Sequence, residues 1–199
     1  MATTLDAKVN GTSNTGVMSF IGVSQALGGS GSTSPSTQIA AGMAETMVTN
    51  ANGIPLLWAS GYVVTPFVLA GLINFSFNAI EDVAATNISL RAKVGKLPAR
   101  QAGGYTHVGT FDYGSELGTS SGDRTWSGTP STPVPFERNS RIVLFLFYRA
   151  FGTPAAGVGT IQNDTQNGMT LTEDVTFSAT LLRDPPIATL GRLARRDFI

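Results

Sequence analysis

The sequence predicts an all-β protein, a jelly-roll-like antiparallel β-sandwich with extended N- and C-terminal arms. Three observations lead there. Residues 72–80 (LINFSFNAI) and 87–94 (NISLRAKV) alternate apolar and polar side chains with period two, the mark of strands with one face on a core and one in water. Residues 142–148 form an unbroken apolar and aromatic run, as a strand covered on both faces does. Turns rich in Gly, Pro and Asn punctuate the chain, and almost nothing between them reads as helix.

Taken in chain order, residues 1–38 are rich in Gly, Ser, Thr and Asn, and GGSGSTSPST at 28–37 reads as a flexible loop. A short helix is expected over 36–49, capped by Ser36 or Thr37, with Ile39, Met43 and Met47 recurring every fourth residue and Asn52-Gly53 closing it. Residues 54–73 (IPLLWASGYVVTPFVLAGLI) carry no charge and are long enough to span a bilayer as a helix. Pro55, Gly61, Pro66 and Gly71 interrupt them, the flanks lack a Lys/Arg bias, and YVV and FVLA are β-shaped runs, so strands are expected and no membrane span.

The alternating segments 72–80 and 87–94 are separated by EDVAAT, a connection of hairpin length, and are expected to pair antiparallel with one wet face. Residues 98–140 read as a long loop excursion with short strands near Tyr105–Val108 and Thr125–Ser127, and Pro130, Pro133 and Pro135 hold 128–136 extended. The apolar strand 141–151 is expected at the centre of its sheet, covered by its own core and by an arm or another subunit. VTFSATLL at 175–182 closes the sheet with Val175, Phe177, Ala179 and Leu181 inward. The domain plan is therefore an N-terminal arm with the short helix over 1–50, a sandwich over 51–182 with its excursion at 98–140, and a tail over 183–199.

That tail mixes Ile187, Leu190, Leu193 and Phe198 with Arg192, Arg195 and Arg196. An apolar-basic segment beyond a finished domain needs a groove for its leucines. It reads equally as an arm onto a neighbour or as a terminus returning to its own domain.

Length and composition narrow the function. At 199 residues the chain suits one domain with a substantial core. Charged residues make up 13%, about half the usual share, a surface suited to packing against neighbours. Thirteen basic residues balance thirteen acidic ones, so nothing global attracts nucleic acid or anionic lipid. Residues 1–90 are net −3, with Lys8 against Asp6, Glu45, Glu81 and Asp82, and residues 91–199 are net +3, which favours contacts between copies. There is no cysteine, hence no disulfide frame and no thiolate site. The first sixteen residues lack the pattern of a secretory signal, and synthesis in the cytosol is expected.

No chemistry assembles from the motifs. His107 is the one histidine and has no partners at metal or catalytic spacing. GTSSG at 118–122 puts Ser120 in a nucleophile pattern, without the strand before and helix after that give it meaning. NDTQNGMTLTED at 163–174 is a poor calcium loop with too few carboxylates in phase, and a hairpin turn through Asn167-Gly168 is the better reading. Glu81/Asp82 and Glu173/Asp174 read as solvated loop pairs. The expected sets of catalytic, cofactor-binding and metal-ligating residues are all empty. Tyr105, Phe111, Tyr113 and Trp126 lie in the excursion and would line a carbohydrate or receptor groove if exposed, or anchor the loop if buried.

Three stretches, INFSFNAIEDVAATNISLRAKVGKLPA from 73, RNSRIVLFLFYRAFG from 138 and TEDVTFSATLLRD from 172, together resemble the β-sandwich proteins of tailed-bacteriophage virions. The likeness lies in an alternating strand, a linker, a strand carrying Arg91-x-Lys93-Val94, a strongly apolar strand and a Thr-rich closing strand. It implies a non-enzymatic structural protein of the virion, made in the host cytoplasm, that decorates or cements the capsid. Its implied partners are other copies of itself and the major capsid protein. Assembly contacts would then fall on Ile187, Leu190, Arg192, Leu193, Arg195, Arg196 and Phe198. The alternative implied role is a receptor- or carbohydrate-binding module of a fibre or tail appendage, recognising a host-surface glycan through the four aromatics.

Overall fold

The computed structural model describes residues 2–7, 17–22, 34–49, 57–99, 104–162 and 166–178. It is an all-β sandwich. The strands in order are β1 (Thr3–Ala7), β2 (Val17–Gly22), β3 (Ser36–Ile39), β4 (Glu45–Met47), β5 (Leu57–Ala59), β6 (Tyr62–Val63), β7 (Phe67–Leu69) and β8 (Ile73–Glu81). After a 3-10 turn at Ala84–Thr86 come β9 (Ile88–Leu97), β10 (Thr106–Asp112), β11 (Asp123–Gly128), β12 (Val134–Phe136), β13 (Arg141–Ala150), β14 (Gly157–Ile161), β15 (Gly168–Leu171) and β16 (Phe177–Ser178).

Hydrogen bonding runs through one ladder in the order β10-β9-β13-β5-β2-β1-β15-β8-β14-β3, with β11 also on β8 and β4 also on β13. The ladder folds over on itself and forms both layers. One layer is β10-β9-β13 with β4 and β5; the other is β1-β15-β8 with β11, β14 and β3. They are joined through β2, which runs antiparallel to β1 and parallel to β5. Two small pairs, β7–β12 and β6–β16, cover one end.

Alternation builds the core. Ile73, Phe75, Phe77 and Ala79 of β8 face Ile88, Leu90, Ala92 and Val94 of β9 and Ile142, Leu144, Leu146 and Tyr148 of β13, and every one of these is buried. Trp58 of β5 reaches across to Phe77, centroids 6.0 Å apart. Removing this much apolar surface from water is the main favourable term of the fold. The layers come close where Gly159 of β14 lies against the Tyr148 ring, so near that a Cβ on Gly159 would stand 2.6 Å from it.

The strand of residues 141–151 is central, as expected, with β9 along one edge and β4 and β5 along the other. Among the described residues, part of its outer face is covered by side chains of neighbouring segments. Tyr105 packs edge-on against Phe145, ring centroids 5.5 Å apart, and the Lys93 ammonium sits 4.1 Å from the Phe147 centroid.

Several expectations are corrected. Residues 36–49 hold no helix: Ser36–Ile39 pairs with β14, Glu45–Met47 pairs with β13, and between them Gly42 turns the chain at φ +70°. Two sheet edges outweigh a weak four-residue periodicity. The described parts of 1–50 are thus sheet strands, not a free arm. Strands β8 and β9 are not a hairpin; β8 bonds to β11, β14 and β15, and β9 to β10 and β13. The 82–87 connection carries the chain from one layer to the other, with Asn87 left-handed at φ 46°.

The 98–140 excursion is more than short strands in a loop, since its described residues supply β10, β11 and β12. Asn167-Gly168 is no hairpin either. Strands β14 and β15 bind end to end along the same edge of β8, and buried Asn167 pins the jog by accepting from Asn78 N (2.8 Å) and donating to Gln162 O (2.7 Å). Within 54–73 the described residues form β5, β6, β7 and the start of β8, and among the described residues no helix is long and apolar enough to cross a membrane. Residues 52–53, Ala179, Leu181 and the tail 183–199 lie outside the described residues.

Candidate functional site

The outer face of the β9–β13 layer carries a lattice of charge. Arg91 on β9 holds Asp112 on β10 bidentately, Nε to Oδ1 at 2.6 Å and Nη2 to Oδ2 at 2.8 Å, and its Nη1 reaches Glu45 on β4 at 2.6 Å. Lys93 bonds the other Glu45 oxygen, and Arg149 approaches Asp112 at 3.7 Å. Residues two apart on one strand share a face, which lets Arg91 and Lys93 reach across β13 to the same glutamate. Arg91 chiefly holds the Asp112 carboxyl below its usual range. At Glu45 burial pushes upward, and the hydrogen bonds and charges of Lys93 and Arg91 outweigh it, so this carboxyl is also lowered. Both carboxylates here are held by paired cations, so the lattice clamps strands.

Glu81 behaves differently. The expectation of a solvated pair fails for it: Glu81 is buried at 1% exposure, at the inward phase of β8, and Ile88 N donates to its carboxylate at 3.3 Å. Burial pushes its carboxyl up to about 7; the Ile88 bond opposes this and the charges of Glu116 and Asp82 add to it. Asp82 does take part in the turn, accepting from Thr86 Oγ1 and Val83 N, both at 2.9 Å. Glu173 accepts from Ala70 N (2.9 Å) and Gly71 N (2.7 Å), tying two segments together.

The four aromatics do not line one groove. Phe111 is buried beside Phe75, centroids 5.3 Å apart; Trp126 stacks on Phe75 at 5.1 Å and donates Nε1 to Phe111 O at 3.2 Å; Tyr113 packs on Trp126 at 5.9 Å. These three anchor the segment to the core. Tyr105 alone is exposed, on the other layer over Gly95. His107 Nδ1 lies 3.3 Å from Tyr105 Oη and Nε2 lies 3.2 Å from Thr110 Oγ1. Ser120 sits in a bend whose carbonyl takes a bond from Arg124 Nη2 at 3.0 Å. Among the described residues no group of His, Asp and Glu side chains is arranged to hold a metal ion.

A concavity of about 380 Å³ opens on the outer face of the other layer, across β1, β15, β8 and β11. Register places Thr4, Thr170, Asn74 and Ser127 in one row across the four strands, and Asp6, Gly168, Ser76 and Thr125 in the next. Thr4 and Thr170 hydroxyls meet at 3.4 Å. Asn74, Ser76, Thr125 and Ser127 make no side-chain hydrogen bond among the described residues, and Gly168 leaves a gap in its row. The inward alternation of Phe75, Phe77 and Trp126 already implied that these polar neighbours point out. Their meeting in one groove depends on the register of four distant segments, which sequence periodicity does not carry.

No protein-family model and no curated protein matches the sequence. Solved structures do. A CocE/NonD family hydrolase from Staphylococcus aureus superposes with TM-score 0.54 at 9% identity, over 85% of this chain and 36% of its own. An α-amino acid ester hydrolase gives 0.54 at 10% identity, over 87% and 36%, and an aminopeptidase from a marine-sediment Thaumarchaeota archaeon gives 0.52 at 12%, over 85% and 36%. The likeness is one of fold. The chain spans about a third of the length of each of these proteins, and at such identity their activities do not transfer.

Proposed function

We propose that this chain is a non-enzymatic structural protein of a tailed-phage virion, of capsid decoration or cement type, binding copies of itself and the shell. The observation that carries the reading is an exposed apolar rim beside β16, the last described strand. Segment 63–72 runs beside 172–178, joined by Val63↔Phe177, Val64 N to Thr176 O (2.9 Å) and Thr172 N to Leu72 O (3.3 Å). Along that rim Val68 and Leu72 are 51% and 41% exposed. In the sequence beyond Ser178 the tail carries Ile187, Leu190, Leu193 and Phe198, apolar side chains of the kind that need a partner surface.

An interface removing on the order of 1,600 Å² from water would hold if such anchors were preorganised. Arg192, Arg195 and Arg196 would steer the tail to acidic surface, adding selectivity and encounter rate more than affinity. The resemblance to virion sandwich proteins supports the same role.

Light scattering after size exclusion, on the full chain and on a chain ending at Arg183, tests it. The shortened chain keeps every described strand, since β16 ends at Ser178. The expected result is an oligomer that the truncation dissociates while the β-sheet circular dichroism stays unchanged. Two monomers, or a truncated chain that unfolds, would overturn the tail-clamp mechanism.

A further inference from the structure

We propose that the groove across β1, β15, β8 and β11 binds a neutral oligosaccharide. Hydroxyls and carboxamides both donate and accept, and here four of them, on Asn74, Ser76, Thr125 and Ser127, have their capacity unspent among the described residues and face one concavity. Neighbouring strands stand about 4.8 Å apart and same-face residues about 6.8 Å along a strand, so the two rows form a net that a sugar ring bridges from strand to strand. The volume of about 380 Å³ falls in the range of small-molecule sites, roughly 300–1,000 Å³.

The charge pattern selects the ligand class. Among the described residues no Lys or Arg lines the groove, so an anionic sugar, a phosphate or a nucleic acid finds no counter-charge from them. The one charged side chain among the described lining residues, Asp6, repels anions and accepts from a sugar hydroxyl in a charge-assisted bond. An added peptide strand would need an open sheet edge, and this is a sheet face whose β8 backbone is bonded on both sides.

Titration calorimetry of the full chain with neutral hexaoses of glucose, galactose, mannose and rhamnose, beside a hexamer of galacturonic acid, decides the matter. At least one neutral hexaose is expected to bind with a Kd of about 1 mM or tighter. Thr125→Trp, at an exposed outward position of β11 where an aromatic suits a strand, fills the groove and should abolish binding. Asn74→Ala should weaken it at least tenfold, and Thr110→Ala on the opposite layer should leave it unchanged. If Thr125→Trp does not fold by circular dichroism, Asn74→Ala carries the test. Absence of binding by all four neutral hexaoses at about 10 mM, binding of the acidic hexamer alone, or indifference to the groove variants overturns the proposal. So does an oligomer that Thr125→Trp dissociates with no effect on sugar, which would make the groove a contact between copies.

Discussion

Two buried polar side chains set the residue-level energetics. Glu81 has an unfolded value of about 4.5 and a folded value of about 7, so the folded chain holds its proton more tightly. Below about pH 4.5 the group is neutral in both states and costs nothing; between the two values stability falls as pH rises, and above the folded value the cost is complete. At 1.36 kcal/mol per pH unit this is on the order of 3–4 kcal/mol at most. Glu81→Gln should therefore raise the midpoint of urea unfolding at pH 8 and leave it little changed at pH 5; equal effects at both pH values would contradict a buried, proton-binding carboxyl. Tyr148 is the second case. Its phenol is fully buried and its Oη has no hydrogen-bond partner among the described residues, and burial pushes its pKa well above the usual range. An unanswered buried hydroxyl costs about 1–3 kcal/mol. Tyr148→Phe keeps the ring and removes the orphan, so the melting temperature should hold or rise by several degrees, read by calorimetry; a fall of that size would mean the hydroxyl is satisfied.

Between elements, β14 meets β13 across the core over a glycine. Gly159→Ala puts a methyl 2.6 Å from the Tyr148 ring, and in a packed interior such overfilling costs about 1–3 kcal/mol, visible as a lowered unfolding midpoint with the urea m-value unchanged. Strands of this kind were legible in proportion to their alternation. In β8 and β9 the phase of Ile, Phe, Leu and Val names the inward side chains correctly, and the β8 phase, extended one step beyond Ala79, already points Glu81 inward, whereas the unbroken run of β13 carries no phase to read. Period two says which face a residue occupies and nothing about which strand lies beside it. That is why β8 and β9 read as a hairpin although they face each other across the core, and why the hydroxyl rows of the groove stayed invisible. Short strands such as β3 and β4 owe their conformation to β14 and β13, partners more than a hundred residues away, so local propensity misread them as helix.

Among the described residues one ladder folds into two layers, the outer face of one carrying a strand-clamping charge lattice and that of the other a groove lined mainly by neutral polar groups. Parts of larger hydrolases share this fold, and a fold alone does not fix its use. One pairing has consequences in time. Thr3 lies opposite Leu171 in the β1–β15 register, and β1 also passes the ladder through β2 to β5. During synthesis the first strand waits, unpaired along that edge, until nearly all of the described chain has left the ribosome. Closure of the sandwich is therefore a late, long-range event, with the millisecond-to-second rates of non-local β topologies. Until then the edges of β1 and β8 stand open to other nascent chains, so rapid expression favours aggregation and slower, cooler expression favours the closed fold.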